Sequence, residues 1–273
     1  MIILQNNTTT LFRSALYETL SAVIQTEDLV LVVDPTWLPH EVEEIRQHTY
    51  SILADRPLYL LFTHSDYDHI LGYRAFPGAK VIASGAFARQ EPAYIEATLE
   101  QIRAFDDDYY LTRGYEIEYP AVDMEAVRDG DTLQIGGTRL TFYQAAGHNP
   151  DGLFTIVEPL GLWLAGDYLS DIEFPFIYHS SEEYEATLAK TELILERHSI
   201  QLLVPGHGEP TDSREEMLRR KKDSIAYIDR MREATLSRNQ ASIDRIIDGC
   251  RFPRNLRKFH QGNQRLFERE LGL

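Results

Sequence analysis

A continuous apolar run, Leu58-Tyr59-Leu60-Leu61-Phe62, passes directly into Thr63-His64-Ser65-Asp66-Tyr67-Asp68-His69. The run is bounded upstream by Pro57 and has the length and composition of a buried strand. A buried strand is a rigid base, so polar residues at its end are delivered to a fixed place at a sheet edge. Here two imidazoles and two carboxylates fall within six residues. His64 and His69 offer neutral nitrogen, and Asp66 and Asp68 anionic oxygen, the donor types that divalent metals take. The competing reading is a polar turn that caps the strand, with Asp66 or Asp68 starting a helix.

The same syntax recurs further along. His148, Asp167 and His207 each follow an apolar, strand-like run, and each is preceded by glycine. Glycine lets the backbone turn sharply and approach closely, so the next side chain can point into a crowded pocket. Four strands are therefore expected to end on one edge, each delivering a ligand-type residue.

The intervening chain predicts an α/β core. Strand-like segments cover Thr8 to Tyr17, Ser21 to Thr26 and Leu29 to Val33. The last ends at Asp34, which reads as a carboxylate fixing a turn rather than a ligand. Pro39 to Leu53 reads as a helix with Val42, Ile45 and Ile52 on one face and His40 and His48 exposed. A strand at Lys80 to Ala83 follows. Residues 84–121 read as an insertion folded over the sheet edge, either a cover for the site or a dimer contact. It holds a helix from Pro92, a solvated helix end at Asp106-Asp107-Asp108, and four tyrosines at 109, 110, 115 and 119.

From Asp129 the chain is β again. Thr132–Ile135 and Thr138–Tyr143 flank Gly136-Gly137, a hairpin signal. Strands at Leu153–Val157, Leu162–Ala165 and Leu202–Val204 complete this half. A helix starts at Ser180, with Glu183 placed for a capping box. The segment Phe174 to His179 is expected to approach the pocket, with His179 bonded either to its own helix start or to substrate. Residues 1–210 read as one domain. Residues 211–273 form an appendage of three helices (213–236, 240–250, 254–270) whose basic residues are read as solvated surface. Cys250 falls on an apolar helix face and is read as packing, and His260 is given no role.

Net charge is −16. Such a surface repels phosphate backbones and anionic lipid, so nucleic acid and membrane are not the expected partners. No apolar run reaches the ~18 residues of a membrane span. The start Met1-Ile2-Ile3-Leu4-Gln5-Asn6-Asn7 lacks the pattern of a secretory signal, and the single cysteine suits a reducing compartment. A cytoplasmic protein acting on a small molecule is expected.

Taken together, the His64-x-Asp66-x-Asp68-His69 cluster, Gly147-His148, Gly166-Asp167 and Pro205-Gly206-His207-Gly208 resemble a metallo-β-lactamase-fold hydrolase over about residues 8–210. The resemblance implies a four-layer αββα sandwich with a dinuclear metal centre at one edge of the sheets. Carried over by position, His64, residue 66 and His148 would hold one metal, Asp68, His69 and His207 the other, and Asp167 would bridge them. Asp68 would also serve the chemistry, orienting a metal-bound hydroxide and passing its proton to the leaving group. Two divalent ions are implied, zinc first. The chain departs from the family pattern at Asp66, where histidine is usual. Oxygen in place of nitrogen shifts preference toward iron or manganese. Asp66 is read as a ligand, the alternative being that it only hydrogen-bonds one. The implied activity is hydrolysis of a small ester, thioester, lactone, amide or phosphoester. The alternative is a non-haem diiron protein that reduces oxygen or nitric oxide with a separate electron donor.

Overall fold

The computed structural model describes residues 1–273. In chain order, strands β1 (Ile2–Gln5), β2 (Thr9–Arg13), β3 (Leu20–Gln25) and β4 (Val30–Val33) lead to helix α1 (Pro39–Leu53). Next come β5 (Leu58–Leu61), a single turn α2 (Tyr67–Ile70), β6 (Lys80–Ser84), a second turn α3 (Gly85–Ala88) and α4 (Pro92–Asp108). The second half runs β7 (Met124–Ala126), β8 (Thr132–Ile135), β9 (Thr138–Gln144), β10 (Leu153–Glu158), β11 (Leu162–Leu164), α5 (Ser181–Arg197) and β12 (Leu202–Val204). Helices α6 (Arg214–Leu236), α7 (Gln240–Arg245) and α8 (Pro253–Glu270) close the chain.

Two sheets form. One has the order β1-β2-β3-β4-β5-β6-β7 and the other β12-β11-β10-β9-β8. Strands β1 to β4 are antiparallel and β4 to β7 run parallel to one another, whereas β8 to β11 are antiparallel and β12 is parallel to β11.

Alternation along the strands explains the layers. In β4, Leu31 and Val33 join a core between the sheets, while Val30 and Val32 join a second core under α1 and α4. In β10, Leu153 and Val157 face inward, and Phe154 and Ile156 face a third core with α5, α6, α7 and α8. Both faces of each central strand are buried, which is why the sequence shows continuous apolar runs there rather than alternation. The result is the expected αββα sandwich. The C-terminal helices pack on one face of it: Met217, Met231, Leu266 and Phe267 share one core with Phe154 and Trp163 of the second sheet. No helix is long and apolar enough to cross a membrane.

Several local expectations need correction. Strand β7 is an addition to the expected set; three residues at an edge carry too little pattern to stand out. Helix α7 ends at Arg245, earlier than expected. The aspartate triplet lies inside the last turn of α4, and Asp106 is not simply solvated: it accepts two hydrogen bonds from Arg113, at 2.8 and 2.9 Å. His48 is half-buried with its ring edge-on to Phe12 at 5.6 Å, because the start of the first sheet folds over α1. Ser180 caps α5 as expected, but the Glu183 carboxylate pairs with His179 at 3.2 Å instead of closing the box. That contact settles His179 at its own helix start.

Candidate metal centre

Because β9 and β11 each run antiparallel to β10, and β12 runs with β11, the three strands point the same way. Their C-terminal ends carry His148, Asp167 and His207. Two backbone hydrogen bonds lock this edge to the other sheet: Leu153 N–H donates to the Thr63 carbonyl at 2.8 Å, and Leu20 N–H to the Gly206 carbonyl at 2.7 Å. The end of β5, with His64 to His69, is thereby held against them.

The seven predicted side chains come together in two groups. One holds His64, Asp66, His148 and Asp167, the other Asp68, His69 and His207; within each group the ligand-type atoms lie within 4.8 Å of one another. Asp167 connects the groups: its carboxylate is 3.2 Å from His69 Nε2, 3.4 Å from both His148 Nε2 and His207 Nε2, and 3.7 Å from His64 Nε2.

The glycines do what their positions predict. Gly147 has a φ of +123°, and a Cβ there would lie 2.3 Å from the Tyr184 backbone. A Cβ on Gly206 would lie 2.2 Å from Asp167 Oδ1. The preceding glycine is what leaves room for the carboxylate at the centre.

Each imidazole is held from behind by Nδ1. His148 Nδ1 donates to the Phe176 carbonyl at 2.7 Å, and His207 Nδ1 to the Tyr17 carbonyl at 3.0 Å. His69 Nδ1 donates to Asp34 Oδ2 at 3.0 Å, and His64 Nδ1 meets Thr63 Oγ1 at 3.0 Å. Asp34 is thus no plain turn residue. Its Oδ1 accepts from Thr63 N–H at 2.9 Å, and its Oδ2 accepts from Thr63 Oγ1 at 2.5 Å as well as from His69. A hydroxyl that donates to Asp34 can only accept from His64 Nδ1, so one carboxylate sets the tautomer of two histidines. In the neutral rings, all four Nε2 atoms then face the centre as lone pairs.

Those atoms supply the test of whether cations fit. His64 Nε2, His69 Nε2 and Asp167 Oδ1 are buried with no hydrogen-bond partner. Buried polar atoms are ordinarily satisfied, and three orphans aimed at one point are what a ligand set presents. The donor chemistry, nitrogen and carboxylate oxygen, fits divalent cations. Asp66 faces the same point. Its Oδ1 accepts from Asn149 at 2.6 Å, which leaves Oδ2 turned inward, 3.1 Å from His148 Nε2.

Electrostatics follow from three carboxylates packed among four imidazoles. Burial alone would raise the Asp66 carboxyl, but the hydrogen bonds and charge of His148 and His64 outweigh it and hold it far below the usual range. Asp167 is likewise held low by His207, His69 and His64 despite its burial. Asp68 goes the other way: burial pushes it up, and Asp167 and Asp66 add to this, against the pull of His69 and His207. Burial opposes charge on His148, yet Asp66 and Asp167 push it up to about 9. His207 is pushed up to about 10 by Glu173, Asp167 and Asp68, again against burial.

The centre opens into a cavity of about 600 Å³. Phe176 and Tyr178 line it, as expected for the segment after Asp167. None of the tyrosines at 109–119 does: Tyr110 is 95% exposed, and Tyr115 and Tyr119 pack under the first sheet. The insertion contributes Tyr94 and Gln101 instead. It also fixes one wall, since Arg113 donates to the Trp37 carbonyl at 2.9 Å and Trp37 lines the cavity.

Several residues of the site are not legible from sequence. Asn149 and Asp34 act only through contacts made across the fold. Glu173, whose carboxyl burial pushes up to about 7, lies on a loop without pattern. Lys258, Phe259, Gly262 and Arg265 of α8 also line the cavity, which corrects the reading of that helix as a solvated basic surface. Their spacing places them on one helix face, the one signal that could have marked them.

No curated protein matches the chain. Among solved structures, the metallo-beta-lactamase family protein TTHA1429 from Thermus thermophilus is similar at 20% identity, with 98% of this chain and 95% of that chain covered and a TM-score of 0.67. The Cronobacter sakazakii metallo-beta-lactamase with a HARLDQ motif is 22% identical, over 82% of this chain and 92% of that one, with a TM-score of 0.55. The archaeal superfamily protein ST1585 from Sulfolobus tokodaii is 18% identical over 81% and 87%, also at 0.55. These likenesses bear on fold. The family model described as the metallo-beta-lactamase superfamily matches residues 16–228, well over half of the sequence and all seven clustered side chains. On that match, and on a sandwich whose strand ends converge as described, the chain belongs to the metallo-beta-lactamase superfamily.

Proposed function

We propose that the protein is a metal-dependent hydrolase of a small ester, thioester, lactone or phosphoester. The observation that carries this reading is the gathering of four Nε2 atoms and three carboxylates into two adjoining groups joined by Asp167, with three of those atoms buried and unpartnered. His64, Asp66 and His148 would hold one divalent ion, Asp68, His69 and His207 a second, and Asp167 both. Zinc suits the histidines, and Asp66 widens the choice to iron or manganese. When bound, such ions acidify water and polarise a carbonyl or phosphoryl oxygen.

The chain's own residues supply the rest. Asp68 lines the cavity beside Asp167 and His207, Oδ2 lying 3.6 Å from His207 Nε2, and its carboxylate would take a proton from the attacking water. As the water oxygen bonds to the substrate carbon or phosphorus, that proton passes from the Asp68 carboxyl to the departing oxygen or sulfur. Thr36 Oγ1 donates to the Asp68 carbonyl and steadies its backbone. Trp37, Phe176 and Tyr178 exclude water around the reacting group.

Elemental analysis of the purified protein, followed by a panel of lactones, thioesters and phosphodiesters, tests this reading. Asp68→Ala should abolish turnover with the fold retained; undiminished activity would rule out its role. One observation favours a second reading, a diiron redox protein: the inward Oδ2 of Asp66 makes the donor set richer in oxygen. A visible absorption band from redox-active iron would support that reading, and a colourless zinc protein cleaving esters would exclude it.

A further inference from the structure

The cavity lining carries charge of both signs. Asp66, Asp68, Asp167 and Glu173 line it, and so do Lys258 and Arg265 of α8. Neither cation pairs with a carboxylate. Lys258 Nζ rests over the Phe259 ring, 4.5 Å from its centroid. In a chain of net charge −16, two unpaired cations lining the same cavity as the candidate centre call for a ligand of opposite sign.

Their placement is built into the fold. Lys258, Phe259, Gly262 and Arg265 form one stripe of α8, at positions i, i+1, i+4 and i+7. The opposite stripe, Leu256, His260, Asn263, Leu266 and Phe267, is buried in the body of the protein. His260 is fixed there by Tyr227 Oη and the Ile243 carbonyl, both at 2.9 Å. Asn263 clasps the loop that forms the facing wall, donating to the Pro175 carbonyl at 2.6 Å and accepting from Ile177 N–H at 2.9 Å. Between those two contacts, Phe176 stacks on Phe259 with centroids 4.1 Å apart, and its carbonyl holds His148. The helix that carries the cations is therefore tied to the loop that orients a candidate ligand.

Gly262 adds a steric observation. A Cβ there would meet nothing nearer than the Arg265 guanidinium at 4.0 Å. Glycine inside a helix lowers its stability, and here no close contact demands it. It leaves the helix backbone open to the cavity between the two cations.

We propose that α8 forms an oxyanion-binding subsite. Lys258 and Arg265 would bind the carboxylate or phosphate terminus of a small substrate whose apolar middle rests on the Phe176–Phe259 stack and whose scissile bond reaches the His/Asp cluster. Residues 253–270 lie beyond the 16–228 that the family model matches, so this subsite belongs to the chain's own C-terminal helices. The inference rests on the hydrolase reading for the position of the scissile bond, but its test does not need turnover.

The probes are three aryl ethers with no ester, thioester or phosphoester bond: 4-phenoxybutyrate, 3-phenoxypropylphosphonate and the neutral 4-phenoxybutyramide. Binding to the metal-loaded protein is followed by tryptophan fluorescence, since Trp37 lines the cavity and Trp163 is buried elsewhere. At least one anion should bind ten-fold or more tightly than the amide, and comparison of the two anions separates carboxylate from phosphate recognition. The double variant Lys258→Ala/Arg265→Ala should erase that advantage, Lys258→Arg/Arg265→Lys should keep most of it, and Gly262→Leu should weaken all three probes. Equal binding of anions and amide would overturn the proposal. So would an advantage that survives the double alanine variant, because the anion would then sit on the metals. An advantage that vanishes in that variant, in a protein that hydrolyses nothing on the panel, would support the subsite while removing the hydrolase reading.

Discussion

Asp34→Asn isolates how one buried carboxylate orients two candidate ligand histidines. The exchange keeps shape and tolerates the backbone, whose φ of +43° is a conformation that Asn and Asp adopt more readily than other side chains. It changes only what the side chain can accept. Asp34 Oδ2 takes hydrogen bonds from Thr63 Oγ1 and His69 Nδ1, and Oδ1 takes one from Thr63 N–H, at 2% exposure. An amide can leave its oxygen on one side only, and either orientation faces a donor with a donor: its NH₂ meets the Thr63 N–H, a backbone group that cannot change, or it meets Thr63 Oγ1 and His69, which can exchange their protons. Placing its NH₂ toward Thr63 Oγ1 and His69 sets donor against donor, and relief requires His69 to move its proton to Nε2. Thr63 Oγ1 would then donate to His64 Nδ1 and impose the same change there. Both nitrogens would become N–H groups facing the metal position. Losing partners of a metal-bound histidine costs ~10–100-fold in metal affinity. With two histidines coupled through one residue, the expected loss is at the upper end, about 100-fold or roughly 2.7 kcal/mol. Two disturbed hydrogen bonds to a buried charge, at about 1.5–3 kcal/mol each, should also lower the stability of the metal-free protein by about 3–6 kcal/mol. Zinc titration against a chromophoric chelator and chelator-treated thermal unfolding measure the two effects. Nitrogen-15 spectra of the histidines report the tautomers. A variant that binds zinc within three-fold of the parent, with Nε2 still unprotonated, would refute the reasoning.

Three further outcomes follow. Gly206→Ala places a methyl where Asp167 Oδ1 stands; it should cost about 1–3 kcal/mol in stability and lose bound metal, as read by unfolding and elemental analysis. Asp66→His should raise zinc affinity relative to manganese, measured by competition, and no change would place Asp66 outside the coordination shell. The metal-free protein should lose stability as pH rises. His148 and His207 have folded pKa values raised to about 9 and about 10, so their contribution is full below the unfolded value near 6.5 and is lost through those higher values. Metal binding, which needs neutral imidazoles, should correspondingly release protons and strengthen with pH. Unfolding midpoints against pH, with and without chelator, test the sign; a flat metal-free profile would contradict it.

Local sequence carried much of the architecture because its signals are short-range. Continuous apolar runs at 29–33 and 58–62, and the run at 153–157 broken only by Thr155, state that both faces of a strand are covered. Pro39 and Pro92 open helices where a missing N–H is harmless, and Gly136-Gly137 turns a hairpin. The seven ligand-type residues were legible for the same reason: each sits at the end of such a run, and strand direction alone decides which edge it reaches.

The sequence by itself therefore determined the layers, the edge and the inventory of donor atoms. Tertiary structure decided how those atoms are oriented and what surrounds them. Asp34 meets His69 across 35 positions of chain, and Asn149 meets Asp66 across 83. The cations of α8 line the cavity because the other stripe of that helix is buried and its Asn263 clasps the loop at Phe176. A hydrogen bond or a charge acts over a few ångströms, and which residues come that close is a property of packing, not of the pattern along the chain.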